Sequence, residues 1–118
     1  DTMNKRACFR INVFQTPIRV SYNTPSRSYL HVSIVRDISG NGVSVFSEFE
    51  FVNLDVDDNV VLSFHIDDEA FQLKAVCKRV IEDQGDYVYA FQFEDDAKTE
   101  EKLIKLLLKI EITRNVNE

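Results

Sequence analysis

A chain of 118 residues, 44% of them hydrophobic, is long enough to close one core without disulfides or a metal and too short for two domains. It holds no run near the roughly 20 apolar residues of a membrane span and no basic-then-apolar leader, so a single cytoplasmic domain is expected. A net charge of −6 argues against general nucleic-acid binding, which depends on neutralising many phosphates.

The chain opens on Asp1, with Met3 two positions on, which points to a piece excised from a longer protein. Residues 1–10 carry Lys5, Arg6 and Arg10 and little to bury, so a flexible segment is expected there. Arg6 and Arg10 form an R-x-x-x-R pattern, and residues four apart in extended chain point to the same side. Two guanidinium groups on one side make a clamp that forks onto phosphate and stacks on flat rings. Lys5 adds charge but stacks less well.

Strands dominate the body of the chain. Phe9 to Val13 and Ile18 to Tyr22 are short extended runs broken at Thr16-Pro17, and Asn23 to Ser28 is a turn by composition. Tyr29 to Ile38 alternates Leu30, Val32 and Ile34 against His31, Ser33 and Val35, which predicts a half-buried strand with the first set as its apolar face. Ser39-Gly40-Asn41-Gly42 is the strongest turn in the chain, with three residues that accept positive φ, and Gly42 to Phe46 returns from it. Val60 to Ile66, Phe71 to Ile81 and Tyr87 to Phe93 come next, joined by turns at Asp67-Asp68-Glu69 and Asp83 to Asp86. Sequential strands with short links and no helix between them predict an all-β antiparallel meander or small barrel.

Only the tail changes period. From Ala97 to about Thr113 it is rich in Leu, Lys and Glu, with Asp95 or Asp96 to cap its start and Lys109 and Arg114 near its negative end. Leu103, Leu107 and Ile110 share one face of this predicted helix, and Ile104, Leu106 and Leu108 widen it. Packing over the barrel is expected, with apolar width to spare for a homodimer or a neighbouring domain. Cys8 and Cys77 sit among apolar neighbours without C-x-x-C spacing and are expected as buried free thiols. His31 and His65 have no partners at metal-ligand spacing.

A second polar pattern, D-x-S-x-x-G, occupies the central turn: Asp37, Ser39 and Gly42. A carboxylate accepts the paired N1–H and N2–H donors of a guanine edge or orients an arginine, a hydroxyl donates or accepts beside it, and Gly42, like Gly40, lets backbone approach a base. Taken alone, each pattern has a plainer explanation: a solvated arginine face, and a hairpin turn bonded to its own backbone. Charge supports the pair. Through Gly42 there are six basic and two acidic residues, a balance of +4, whereas the remainder carries −10. A basic patch on an acidic body suits a small anion better than a polyanion.

In their order, separation and β context, the two patterns resemble those of PilZ domains, bacterial receptor modules for cyclic di-GMP, over nearly the whole chain. The resemblance implies a six-stranded antiparallel β-barrel with a C-terminal helix, spanning 1–118 as one domain with the helix at 97–113. It implies cyclic di-GMP as ligand, with Arg6 and Arg10 on phosphate and guanine, Lys5 adding charge beside them, Asp37 and Ser39 on guanine, and Gly42 giving the base room. Many members carry an arginine where Lys5 stands, a position that bears on whether one nucleotide or a stacked pair binds. Members often use an aromatic or basic residue late in the fifth strand, for which Arg79 is the nearest candidate.

The expected function is therefore a cyclic di-GMP receptor, not an enzyme, since no nucleophile triad, metal cluster or phosphate loop is evident. Its N-terminal arginine segment would become ordered on ligand binding and signal to a partner or adjacent domain. The alternatives are a PilZ-like protein-interaction domain without a ligand, and a small barrel for another nucleotide or single-stranded nucleic acid.

Overall fold

The computed structural model describes residues 10–11, 16–94 and 97–117. Among these residues seven strands precede one helix: β1 (Arg10–Ile11), β2 (Pro17–Asn23), β3 (Ser28–Ser39), β4 (Gly42–Ser47), β5 (Asn59–Ile66), β6 (Glu69–Asp83), β7 (Asp86–Phe93) and α1 (Ala97–Asn117). All pairings are antiparallel. In the order β3-β2-β5-β6-β7-β4, with β4 returning to β3, six strands close on themselves and leave no open edge. The two-residue β1 lies along the same edge of β3 as β2.

Alternation fills the barrel. Ile18 and Val20 of β2, Leu62 of β5 and Val45 of β4 are fully buried, and Phe64, Tyr89 and Phe91 are nearly so. Tight links set the register. Gln84 and Gly85 both take positive φ (53° and 90°), giving the two-residue hairpin turn that matches strand twist between β6 and β7. At one end of the barrel α1 inserts Leu103 and Leu107, both fully buried, while Ile110 and Leu106 pack at the margin. Lys102 reaches Glu69 at 2.9 Å, an exposed ion pair that orients the helix more than it stabilises it. The helix extends four residues past the predicted end at Thr113.

At the other end, the loop between β4 and β5 folds inward with Phe51 and Leu54. Phe51 stacks on His31 at 4.7 Å and on Tyr89 at 4.2 Å, and its N–H donates to the Tyr89 hydroxyl at 2.7 Å. The Tyr22 hydroxyl donates to the Val52 carbonyl at 2.5 Å and so accepts from His31 Nε2–H at 3.0 Å. Burial raises the Tyr22 pKa to about 12 and lowers that of His31, so both are held neutral.

One sequence expectation is reversed. Leu30, Val32 and Ile34 face outward, at 59%, 66% and 38% exposure, and Tyr29, His31, Ser33 and Val35 take the inner face. The cause is register: Ser33 lies opposite Ile18, His31 opposite Val20 and Tyr29 opposite Tyr22, and the β2 residues are the stronger core formers. The polar inner residues are satisfied there, His31 by Tyr22 and the Ser33 hydroxyl by the Phe46 carbonyl.

Leu103→Ala should cost about 2–5 kcal/mol in denaturant unfolding, and Leu108→Ala, at a 44% exposed position, no more than about 0.5. Because the folded state lowers the His31 pKa, the unfolded chain binds the extra proton: the contribution is complete above the ordinary histidine value and is lost as pH falls below it. His31→Gln should therefore flatten the decline in stability between about pH 7 and pH 5 that wild type shows.

Candidate functional site

Twenty-eight intervening positions separate Arg10 from Ser39 in sequence, yet in the fold they are Cα partners across β1 and β3, and Ile11 lies opposite Ile38. The end of the arginine pattern is thus brought against the D-x-S-x-x-G turn by backbone pairing. Lys5, Arg6 and Cys8 lie outside the described residues.

Within the turn the polar groups divide their work. Ser39 is fully buried, and its hydroxyl donates to Asn41 Oδ1 at 2.7 Å with the Gly42 carbonyl at 3.3 Å, which braces the loop from inside. Asp37 is half-buried and lies opposite Ser44. Neither Gly40, Asn41 nor Gly42 uses the positive φ expected of them. The glycines answer to contact instead. A Cβ on Gly42 would stand 2.6 Å from the Phe91 carbonyl, where β4 pairs with β7, and one on Gly40 would stand 2.6 Å from Ile104 Cγ1 of α1. Gly42 thus admits a backbone and Gly40 admits the helix.

Two bulges shape the surface beside this turn. The β3–β4 register shifts between Val35 and Asp37, leaving Arg36 as the extra residue, and the β6–β7 register shifts between Cys77 and Arg79, leaving Lys78. Between the bulges, Asp37 pairs with Ser44, Ser44 with Ala90 and Ala90 with Arg79. These four form one outward row across four strands, roughly 14 Å wide at the usual strand spacing. Its middle is low because Ser44 and Ala90 are small, its β6 end is cationic because Lys78 and Arg79 are exposed, and at its β3 end the exposed Arg36 stands next to the Asp37 carboxylate in sequence. The next row toward the helix begins at Gly42, opposite Gln92. A shallow floor with guanidinium and ammonium groups at its margins accepts a flat, anionic molecule.

A cleft of about 380 Å³ opens on the helix side of the turn, but Glu94 and Glu100 line it with only Lys74 to offset them. Such a balance repels phosphate. Among the described residues no group of three histidines, cysteines or carboxylates stands close enough to hold a metal. Burial raises the Cys77 thiol to about 11, so it is the buried free thiol its surroundings suggested, not a nucleophile. No described helix is long and apolar enough to cross a membrane.

The family model described as PilZ domain matches residues 4–109. The fold superposes on the Klebsiella pneumoniae MrkH–c-di-GMP complex with a TM-score of 0.74 at 16% identity, covering 92% of this chain and 53% of that one. It superposes on the c-di-GMP-bound PilZ domain of YcgR from Escherichia coli with a TM-score of 0.67 at 14% identity, covering 92% and 93%. For the PilZ domain of CeSA from a cellulose-synthesizing bacterium the values are 0.63 and 22%, covering 86% and 97%. The chain spans about half the length of MrkH and of the Bacillus subtilis inhibitor of motility MotI/DgrA. No curated protein matches the sequence.

The two glycines predict different rescue behaviour. Gly40→Ala and Gly42→Ala should each cost about 1–3 kcal/mol. Adding Ile104→Ala, which removes both atoms closest to the new methyl, should recover part of the Gly40→Ala loss and none of the Gly42→Ala loss. A double-mutant cycle in chemical denaturation measures both.

Proposed function

The chain belongs to the PilZ domain family, and on that premise we propose that it is a receptor domain for cyclic di-GMP. The observation that carries this reading is the pairing of Arg10 with Ser39, which sets the arginine pattern beside the D-x-S-x-x-G turn at the edge of a low, cation-rimmed floor. Two of the similar structures hold c-di-GMP.

The chemistry comes from the groups available. Arg6 and Arg10 would grip phosphate and stack on a guanine, and Lys5 would add charge without a comparable stacking plane. Asp37 would accept from the guanine edge or hold an arginine in place. Ser39 would act by holding the turn's shape, since its proton is engaged by Asn41. Ser44, Ala90 and Gly42 would let the nucleotide lie close to the sheet, and Arg79 would close the far side of the bed. No step here makes or breaks a covalent bond; the role is recognition. Ligand binding would draw residues 1–10 against the bed, and a partner or adjacent domain joined to that segment would receive the signal.

Calorimetric titration with cyclic di-GMP, GTP and cyclic di-AMP tests this reading. Binding should be selective for cyclic di-GMP. Arg10→Ala should weaken it by about ten- to a hundredfold, the worth of one charge-assisted contact of about 1.5–3 kcal/mol. No binding by a domain whose unfolding transition is intact would contradict the proposal. Hydrogen exchange of residues 1–10 that is the same with and without the nucleotide would contradict the ordering of that segment.

A further inference from the structure

The outward row next to the proposed ligand bed is apolar throughout. Ile34 pairs with Phe46, Phe46 with Val88 and Val88 with Ile81, so four apolar side chains cross the same four strands two places nearer the loop end of the barrel. Ile34 and Ile81 are 38% and 41% exposed. Leu30 and Val32 extend the patch along β3, and Phe49, 76% exposed, stands at one margin of a groove of about 410 Å³ that Ile34 and Phe46 also line. Scattered exposed hydrophobes need no explanation, but a continuous outer belt of this kind marks a contact surface.

Charge specifies what the belt fits. Glu48 lines the same groove, and Asp83 and Asp86 pair with each other two residues beyond Ile81 and Val88. The belt therefore has an acidic margin on its loop side, opposite the basic residues of the bed. We propose that this belt is the docking surface for an amphipathic segment of a partner protein, whose apolar face covers Ile34, Phe46, Val88 and Ile81 and whose lysines or arginines face Glu48, Asp83 and Asp86. The surface stands on its own and does not require that the adjoining bed bind a nucleotide. If it does, the ligand and the partner meet along the line between the two rows, about 7 Å apart at two residues of strand rise.

The test uses the whole chain and a synthetic amphipathic helical peptide of leucine and lysine, with its leucine and glutamate counterpart as control, monitored by fluorescence anisotropy near physiological salt. The lysine peptide should bind and the glutamate peptide should not. Ile81→Ser should weaken binding roughly tenfold, as expected when an apolar anchor of an interface is made polar. Asp83→Lys should weaken it as well, while Leu108→Ser, an equally exposed apolar position on α1, should leave it unchanged. Circular dichroism melts of the three variants confirm that they are folded. Equal binding of both peptides, or loss with Leu108→Ser instead of Ile81→Ser, would overturn the proposal. So would concentration-dependent dimers in sedimentation that Ile81→Ser abolishes, since a second copy would then be the occupant.

Discussion

Strand β3 is the constraint on which the rest of the molecule depends. Its twelve residues have three partners: β2 and β1 along one edge, β4 along the other. The first of these closes the barrel on one side and fixes which face of β3 is inside. The last closes the ring. Between them the Arg36 bulge re-aims the strand so that Asp37 points outward and Ile38 returns to the core. Ser39 can then meet Arg10 without disturbing the hydrophobic interior. A site assembled by backbone pairing is held by the same hydrogen bonds that hold the fold, so its floor costs little further ordering when a ligand arrives.

Much of this was legible in the sequence. Period-two alternation marked the strands, turn chemistry marked the hairpin at Gln84-Gly85, and the change to a helical pattern marked α1. Of the two polar patterns, the fold pairs Arg10 with Ser39, while Arg6 lies outside the described residues. What local pattern could not decide was the facing of β3. Leu30, Val32 and Ile34 are the more apolar set, yet pairing with Ile18, Val20 and Tyr22 turned them out, and register is a property of two strands. The glycines of the central turn suggest a need for positive φ, and nothing near them in sequence reveals that Phe91 and Ile104 stand against them instead.

The bulges were encoded, although by a signal easily overlooked. In β6 the inward residues Phe71, Leu73, Ala75 and Cys77 keep odd positions until Val80 takes an even one, and in β3 Val35 gives way to Ile38. Such a slip in parity leaves one extra residue, and in both strands that residue is basic: Lys78 and Arg36. The small floor residues Ser44 and Ala90 gave no signal at all, since only cross-strand register brings them between Asp37 and Arg79. Electrostatics then joins these parts. A body of net charge −6 with Arg36, Lys78 and Arg79 exposed beside one floor discourages long polyanions and favours a compact anion there.

The account rests on Arg10 and the D-x-S-x-x-G turn acting as one site, and a double-mutant cycle on cyclic di-GMP affinity with Arg10→Ala and Asp37→Ala measures that most directly. Groups that share a ligand through a common network should couple by about 0.5–3 kcal/mol, the double variant losing less than the sum of the singles. Losses that simply add, or an Asp37→Ala variant that binds as wild type does, would contradict it.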